Sequence, residues 1–290
     1  MSPRPATSSF VRMMRTALVA LLAGAVLTGL SGCGIRIVEY EFSDDHAVAE
    51  KFTSVRARNG SGDVTIRYQQ GLTETKIHRR VEHNKNNKPT GATHRVEGDA
   101  LVLDACGDSC EVNYEVLVPS ADIAVVGDVG SGDAVVEGLK SVEYQTGSGD
   151  IATLDIAGDV KVSTGSGDFR ATRVGGTATA DLGSGRIELN TVKGKVLAVT
   201  RSGDIDGSFL GGDVIADASS GRVELTLAEP RSVRVMSGSG DVNVRVPGGP
   251  YRVTGTSGSG EREVHVATDP NAPLELNLTT GSGEVRVFAI

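Results

Sequence analysis

The sequence predicts an all-β protein: a single-chain parallel β-solenoid, or right-handed β-helix, with about 18 residues per coil and an N-terminal β cap. Three observations lead to this fold class. Glycine makes up 38 of 290 residues, nearly double its usual share of roughly 7%. Ser-Gly pairs recur at a nearly constant spacing, and apolar residues alternate with polar ones between them. Period-two alternation is typical of strands, so the glycines mark the corners between strands.

The Ser-Gly pairs set the length of one coil. Successive steps between their serines are 17, 18, 18, 18, 18, 19, 20 and 23 residues. Each coil also divides into halves of nine, because Gly-Asp-Ile at residues 149–151 recurs as Gly-Asp-Val at 158–160. One coil is therefore two short strands joined by two corners, where glycine supplies the positive φ of a tight turn. The serines are Ser131, Ser148, Ser166, Ser184, Ser202, Ser220, Ser239, Ser259 and Ser282.

Aligning the coils on Ser-Gly identifies the columns of residues that face the core. An antiparallel meander would also alternate, but it need not keep like residues at a strict spacing. In a parallel solenoid, residues i and i+18 stack about 4.8 Å apart, so the spacing favours the solenoid. Right-handedness follows from the usual hand of parallel crossover connections. The predicted inward columns are Ala134, Ile151, Phe169, Ile187, Ile205, Val223, Val242 and Val285; Leu139, Ile156, Val174, Val192 and Leu210; Val160, Ala178, Val196 and Val214; and Val162, Ala180, Ala198 and Ala216.

Residues 1–32 are predicted to be a lipoprotein signal peptide. Three arginines precede an uncharged apolar run of fifteen residues, Thr16 to Leu30. This run is shorter than the roughly 20 residues that span a membrane, but it fits the core of an export signal. The segment LSGC at residues 30–33 resembles the lipobox of bacterial lipoproteins, and the resemblance implies that Cys33 is the lipid-attachment residue. The alternative is an ordinary secretory signal with a chance cysteine nearby.

A lipidated Cys33 would place the mature protein on the bacterial cell envelope. Two or three acyl chains anchor a protein stably, whereas one gives only marginal binding. The predicted location is the outer face of the cell membrane, or the outer membrane if the host has one. Loss of the three signal-peptide arginines changes the net charge from −8 to −11 (−8 − 3), so the lipid rather than surface charge would hold the protein there.

The two remaining cysteines, Cys106 and Cys110, are an even number in an oxidising compartment, which favours a disulfide. They lie between two strand-like segments, Ala100 to Ala105 and Glu111 to Val118. We therefore expect a hairpin whose turn is clamped by the disulfide. A redox or metal pair is the alternative, but no histidine cluster with ligand spacing accompanies it.

The repeat divides the chain into four predicted regions. These are the signal peptide at 1–32, a tether at 33–50, an N-terminal β cap region with the disulfide hairpin at 51–126, and the β-solenoid repeat array at 127–290. A motif related to the corners, NGSGD at 59–63, stands alone far ahead of the series. The cap is expected because terminal repeats must cover an open core.

The array becomes less regular towards its end. Extra residues gather at one corner, at 229–230, 247–250 and 269–273, and they are either ligand-binding loops or insertions at a tolerant position. Arg262 falls in an inward column that elsewhere holds Ile or Val. Glu284 to Ile290 is predicted to be a strand without a capping segment, and such an open edge invites strand pairing, including self-association.

Charged residues follow the Ser-Gly pairs and form a column of their own. Arg186 and Arg222 each fall between two acids, so we expect a solvent-facing ladder of alternating carboxylates and guanidinium groups. Exposed pairs of this kind contribute only tenths of a kcal/mol each. The column consists of Asp133, Asp150, Asp168, Arg186, Asp204, Arg222, Asp241, Glu261 and Glu284.

Charge and composition exclude several classes of partner. A net charge of −8 disfavours nucleic acid, since phosphate binding depends on surplus Lys and Arg. With no Trp and only eleven Phe and Tyr residues, platforms for stacking bases or sugars are also disfavoured. One basic stretch, Lys76 to Arg95, is either a polyanion site or, as the simpler interpretation, a solvated loop face.

No enzyme or cofactor motif is present in the sequence. The calcium-binding Gly-Gly-x-Gly-x-Asp repeat also makes coils of two nines, but here Asp follows its glycine directly and Arg186, Thr177 or Lys195 replaces it in places. A β-helix polysaccharide lyase uses larger coils and a substrate cleft. Metalloprotease, nucleophile-elbow and phosphate-loop motifs are missing from the sequence. We expect no catalysis, no cofactor and no metal.

The pattern as a whole resembles the bacterial putative-adhesin family, which is related to the head domains of auto-transporter adhesins. The likeness rests on NGSGDV at 59–64, LVLD at 101–104, NYEVLVP at 113–119 and the recurrent Gly-Ser-Gly-Asp corners. It implies a β-strand repeat fold without assigned catalysis.

The expected function is a lipid-anchored, surface-exposed, adhesin-like binding protein. The alternative is a structural or stress-response accessory lipoprotein of the envelope. Expected partners are the membrane, through the lipid, and an envelope polymer, glycan or protein ligand.

Overall fold

The computed structural model describes residues 39–290, which fold into 26 β-strands. In the first half of this region they are β1 (Glu39–Val48), β2 (Ser54–Arg58), β3 (Val64–Tyr68), β4 (Thr75–Asn84), β5 (His94–Glu97), β6 (Ala100–Asp104), β7 (Cys110–Val118), β8 (Ala124–Ser131), β9 (Ala134–Glu137), β10 (Ser141–Ser148), β11 (Ile151–Ile156), β12 (Val160–Ser166) and β13 (Phe169–Val174). The remaining strands are β14 (Ala178–Ser184), β15 (Ile187–Val192), β16 (Val196–Ser202), β17 (Ile205–Leu210), β18 (Val214–Ser220), β19 (Val223–Leu227), β20 (Val233–Ser239), β21 (Val242–Val246), β22 (Arg252–Thr254), β23 (Ser257–Ser259), β24 (Arg262–His265), β25 (Glu275–Ser282) and β26 (Val285–Ala289).

The strands form two long sheets that enclose one core. The first sheet has the order β1-β4-β7-β3-β9-β11-β13-β15-β17-β19-β21-β26-β24, and the second has the order β5-β6-β2-β8-β10-β12-β14-β16-β18-β20-β25-β22, with β23 also beside β25. From β8 to β21 the chain alternates between the sheets, and within this stretch strands two apart in sequence pair in parallel. This is the predicted all-β parallel solenoid.

The inward columns predicted from the repeat are confirmed. Ile151 lies beside Phe169 and Phe169 beside Ile187, as the repeat length requires. Every residue of the four predicted columns is buried. Burying a Val, Leu or Ile side chain stabilises a fold by about 1.5–3 kcal/mol, so these columns are the main source of stability in the middle of the array.

Glycine is required at the Ser-Gly corner for two reasons. Gly203 has a φ of +146°, and a Cβ placed on it would overlap the carbonyl oxygen of Gly185 on the preceding coil. Any larger residue would therefore strain its own backbone and push two coils apart. The same approach recurs along the stack, which explains why the glycine is repeated.

At the opposite corner, residues other than glycine also take positive φ values. Four residues, one from each of four successive coils, have positive φ values between 55° and 62°: Asp155, Arg173, Thr191 and Phe209. Such conformations cost non-glycine residues about 1 kcal/mol or more each. The column ends after Phe209, where the register between β17 and β19 shifts.

The N-terminal end corrects three expectations. Residues 39–48 of the predicted tether are strand β1, which pairs antiparallel with β4. The boundary expected at 126/127 falls inside β8, and the region before it contributes whole coils of the array. The predicted disulfide hairpin does not form, since β6 joins the second sheet and β7 the first.

The coil made of β2 and β3 is placed out of sequence. It lies between β6/β7 and β8/β9, so the isolated NGSGD motif stacks directly on the first Ser-Gly corner of the series. Ser61 pairs with Ser131 in parallel, and the N–H of Gly130 donates to the carbonyl of Gly60 at 2.8 Å. The long interval between the motif and the series is therefore an insertion in the chain and not in the stack.

The C-terminal end corrects the prediction of an open edge at the last strand. β26 pairs with β21 on one side and with β24 on the other, so the final coil is inserted beneath the one that precedes it in sequence. The outermost strand of the first sheet is β24, and Arg262 stays exposed there although it does share a column with Val285.

A cap also covers this end. The ring of Tyr251 is fully buried, its hydroxyl donates to the carbonyl of Pro247 at 2.9 Å, and Ala272 is buried beside the end of the core. The N–H of Tyr251 donates to the carbonyl of Ala267, and the N–H of Asp269 donates back to the carbonyl of Tyr251. The extra residues at 247–250 and 269–273 therefore form part of a capping structure.

Candidate functional surfaces

The predicted lipid-attachment residue, Cys33, lies outside the described residues. The other two cysteines do form a disulfide, with Cα atoms 5.6 Å apart. Cys106 follows β6 of the second sheet, and Cys110 begins β7 of the first. The bond therefore clamps the corner where the chain crosses between sheets, which is a structural role.

The acidic column that follows the Ser-Gly pairs binds successive coils together through backbone donors. The N–H of Asp150 donates to the carboxylate of Asp133 at 2.8 Å, and the N–H of Asp168 donates to Asp150 at 2.7 Å. The first step joins Asp133 to Asp63 of the out-of-sequence coil at 2.9 Å. Charged acceptors make stronger hydrogen bonds than neutral ones, so the aspartates serve as connections between coils.

The two arginines in this column form ion pairs on one side only. Arg186 lies 3.4 Å from Asp204 and 3.6 Å from Asp206, while Arg222 approaches the same two carboxylates at 3.5 and 3.7 Å. Asp168 instead accepts the backbone N–H of Arg186. The predicted ladder is thus a four-residue cluster in which two guanidinium groups enclose two acids. Burial raises the pKa of Asp206, against the opposing effect of both arginines.

The carboxylates of this column leave no evident metal site. Within residues 39–290, no group of three or more His, Cys, Asp and Glu side chains is placed to hold a metal ion.

In the same part of the chain, no helix is long and apolar enough to cross a membrane.

The basic stretch Lys76 to Arg95 contributes largely to structure. Arg79 is almost fully buried, and its guanidinium donates to both carboxylate oxygens of Asp44 at 2.5 and 2.7 Å. Arg95 pairs with Glu97 and with Asp104. Arg79 and Arg95 thus serve the fold, and the stretch up to Asn84 is strand β4 and not the solvated loop face expected from the sequence.

A polar network around Arg79 closes the N-terminal end of the core. Arg79 also donates to Thr93, and the hydroxyl oxygen of Tyr114 lies 2.8 Å from the carbonyl oxygens of both Thr93 and Asp104. Burial raises the pKa of Tyr114 to about 12. Burial, together with nearby His46 and Arg79, lowers the pKa of His94. Sequence reasoning missed this network, because charged side chains occupy inward positions of β1 and β4.

Two shallow cavities adjoin this end. One, of about 530 Å³, is lined on the outer face of the first sheet by residues that include Asp45, His78 and Glu115, and Asp45 lies 2.8 Å from the ring of His78. The other, of about 420 Å³, is lined by residues that include Phe52 and Ile123. They contain no convergent set of groups suited to catalysis.

The outer faces of the two sheets differ in chemistry. The first sheet presents ion pairs such as Arg170 with Glu188 and Arg245 with Glu224. The second sheet presents an apolar patch, which we define as Leu197, Ile215 and Met236, exposed by 39%, 49% and 44%.

Leu197 and Ile215 are direct cross-strand neighbours, and Met236 lies diagonally across from Ile215 on the next strand. Sequence reasoning missed the patch, although apolar residues at outward positions of the alternation were a signal that could have found it.

This fold defines a non-globular class of protein, a β-solenoid in which two long sheets are built from short coils. The chain belongs to the Toastrack DUF4097 family, whose model matches residues 112–271. The family resemblance drawn from the Gly-Ser-Gly-Asp corners is thereby confirmed. No curated protein matches the sequence.

Solved bacterial structures share an overall likeness with this chain at low identity. A putative adhesin from Bacteroides fragilis NCTC 9343 is 14% identical with a TM-score of 0.43, covering 89% of this chain and 100% of its own. A putative adhesin from Parabacteroides distasonis ATCC 8503 is 15% identical with a TM-score of 0.36, covering 85% and 97%. A putative cell adhesion protein from Clostridium sporogenes ATCC 15579 is 10% identical with a TM-score of 0.27, covering 87% and 100%.

Proposed function

We propose that this protein is an exported, lipid-anchored, adhesin-like binding protein of the bacterial envelope without catalytic activity, and that its apolar patch binds a protein ligand. The observation that carries the binding proposal is the exposure of Leu197, Ile215 and Met236 on one face of the second sheet. Contiguous exposed apolar side chains on a stable domain are typical of interaction sites.

The character of the patch favours a protein over a sugar polymer as ligand. It has no aromatic member, whereas a glycan is usually held by rings that stack on it. Charged groups border it, since Arg234 pairs across from Ile215 and Asp217 lies opposite Met236. An apolar centre with a charged rim is the usual arrangement of a protein–protein interface.

The rest of the coil supports the patch as a rigid platform. Beneath it, the inward residues Val196, Ala198 and Ala216 are fully buried. Both β16 and β18 are bonded to strands on either side. A binding surface on a rigid sheet needs little ordering when the ligand binds, which favours affinity.

A lipid on Cys33 would hold one end of the array near the membrane. Only five residues, 34–38, separate Cys33 from β1, and they span at most roughly 20 Å when extended. The first sheet extends over 13 strands, or roughly 58 Å at the usual strand spacing. The end that carries β24 would then be distant from the membrane.

Binding is tested with lipid-free protein of residues 34–290 against a panel of matrix proteins and a glycan array. We expect saturable binding to a protein of the panel, and its loss when Leu197→Asp and Ile215→Asp are combined. Val126→Asp, at an exposed apolar position of β8 in the same sheet but away from the patch, is the matched control and should bind normally. Absence of any saturable binding would contradict the proposal and favour the envelope accessory function.

The anchor is tested separately in cells. We expect palmitate labelling of the wild-type protein, sensitivity of its processing to globomycin, and loss of labelling in Cys33→Ser. Unchanged labelling of Cys33→Ser would contradict lipidation at this residue.

A further inference from the structure

The outermost strand of the first sheet, β24, has an unpaired edge within the described residues. β24 pairs with β26 on one side, and the sheet ends there. In this array, the backbone N–H of each residue that faces the core donates to the coil nearer the β24 end of the stack. The N–H of Ile151 donates to the carbonyl of Asp168, and the N–H of Val285 donates to the carbonyl of Glu261. Arg262 and Val264 lie in register with Val285 and Val287. Their N–H and C=O groups therefore point away from β26.

Two other strands at the ends, β1 and β22, are less suited to pairing with a copy of themselves. At the N-terminal end, β1 carries Glu41, Asp44 and Asp45, and like charges on an edge strand oppose pairing with itself. In the second sheet, the segment Ala267 to Asp269 already bonds to Tyr251 beside the start of β22. The edge of β24 has both an available ladder and charges of both signs.

We propose that β24 pairs antiparallel with β24 of a second copy of this chain, around a two-fold axis at Glu263. In this register Arg262 lies opposite Val264 of the second copy. Both residues direct their backbone N–H and C=O groups towards the free edge of β24, so they form a hydrogen-bonded pair of the antiparallel ladder. The two-fold axis repeats this pair, which gives four hydrogen bonds in an isologous contact.

The side chains agree with the same register. Glu261 lies opposite His265 of the second copy, which places an acid across from a base twice in the contact. Glu263 faces Glu263 of the second copy across the axis. Within its own chain, Glu263 lies 3.7 Å from Arg286 and 3.8 Å from His265, and these cationic partners offset the repulsion between the two acids. Cross-strand pairs of opposite charge stabilise a sheet. The half-buried Val264 would gain cover from the second copy.

A contact of one short strand from each copy is small, so the dimer is weak in solution. Clustering raises the effective concentration of such contacts, and many copies on one surface could associate with many on another. The pairing does not depend on the lipid or on the apolar patch, so it can be measured on lipid-free protein.

The test is sedimentation equilibrium of residues 34–290, which contain all of the compact unit Val38–Ile290. Protein concentration is varied from 10 µM to 1 mM. We expect a reversible monomer–dimer equilibrium in the wild type. Val264→Pro removes an outward N–H, which edge strands tolerate, and should weaken dimerisation at least tenfold without lowering the melting temperature by more than a few degrees. Val253→Pro, at the equivalent outward position of β22, is the matched control and should dimerise normally.

A charge exchange tests the register independently of proline. His265→Glu should weaken dimerisation severalfold, because Glu261 would then face a second acid. Adding Glu261→Arg to His265→Glu should restore it, since the exchanged pair again has opposite charges. A wild type that stays monomeric at 1 mM overturns the proposal, as does a dimer that Val264→Pro leaves unchanged or that the double exchange does not restore.

Discussion

The middle of the array and its two ends follow different rules. From β8 to β21 the coils lie in sequence order, and one Ser-Gly corner follows another at a nearly constant spacing. At each end one coil is inserted beneath another, so residues that bond across the corner there are separated by long stretches of sequence. The corner geometry nevertheless continues through both ends.

The difference shows that the corner, and not the spacing, specifies contact between coils. Asp133 donates its N–H to Asp63, 70 residues away, as Asp150 does to Asp133, 17 residues away. Glu284 likewise donates its N–H to Asp241, 43 residues away. A coil with the same corner can therefore come from a distant part of the chain. At both ends this arrangement leaves the intervening segments free to cover the end of the core.

The largest expected effect is at a middle corner. Gly203→Ala should destabilise the protein by about 3 kcal/mol or more, since the new Cβ would combine positive-φ strain with a clash against the carbonyl of Gly185. Chemical denaturation of residues 34–290 measures the change. Gly248→Ala is the matched control in an end loop, where a Cβ would meet nothing within 4 Å, and its effect should stay within about 0.5 kcal/mol. Equal effects of the two substitutions would contradict the role assigned to the corner.

The next effect is at the N-terminal end. Arg79→Ala should cost about 2 kcal/mol, less than for a fully buried ion pair because Asp44 remains one-third exposed. Since contacts in a solenoid are between neighbours, the loss should be confined to β1, β4 and the covering loop. Hydrogen exchange should accelerate there while β12 to β18 stay protected. Uniform acceleration along the array would show that the ends and the middle unfold together.

The same end should respond to pH. Burial lowers the pKa of His94, so the unfolded chain, with a histidine pKa of about 6.5, binds a proton that the folded end resists. Stability is complete above this value and decreases as the pH falls from about 6.5 towards the folded pKa. The charged and titratable neighbours are His46 and Asp44 on β1 and Arg79 on β4. Hydrogen-exchange protection factors of β4 and β5, which are corrected for the intrinsic pH dependence of exchange, should fall between pH 7 and pH 5.

His94→Gln is the corresponding control. It removes the titrating group while it keeps a polar side chain, so the pH dependence of the protection factors at this end should become shallower. An equally steep dependence in His94→Gln would assign the effect to another group.

Most of the middle could be predicted from the sequence, because there periodicity and contact coincide. A column such as Ile151, Phe169 and Ile187 repeats at the step that also makes its members neighbours. The ends could not be predicted in this way, since periodicity carries no information on which distant coil is inserted. The strand β1 was missed for another reason: Asp44 occupies an inward position, where it pairs with Arg79, so the apolar alternation is weak.

The surfaces divide similarly. The disulfide between Cys106 and Cys110 followed from cysteine count and compartment, although its place at a sheet crossing did not. The acidic column was visible in sequence, but its main role, accepting backbone N–H groups, depends on the stacking of the corners. The apolar patch of Leu197, Ile215 and Met236 emerges only when outward positions on neighbouring strands are compared.

The smallest expected effect concerns the charged column of the middle coils. Arg186 is half exposed, and its pairing with Asp204 and Asp206 at 3.4 and 3.6 Å is worth less than about 1 kcal/mol. Arg186→Glu adds repulsion with both acids, so the free energy of unfolding should fall by about 1 kcal/mol at low salt. The loss should shrink in 1 M NaCl, since salt screens exposed charges.

Lys193→Glu is the matched control, because Lys193 forms no ion pair within residues 39–290. It should change stability by a smaller amount at either salt concentration. In Arg186→Glu, the backbone N–H of residue 186 would still reach Asp168. A loss of unfolding free energy larger than expected would therefore mean that the guanidinium groups, and not the hydrogen bonds from backbone N–H groups to aspartates, hold the middle coils together. An unchanged stability of Arg186→Glu at low salt would instead leave those backbone bonds as the whole contribution of the column, in the middle of the array as at its ends.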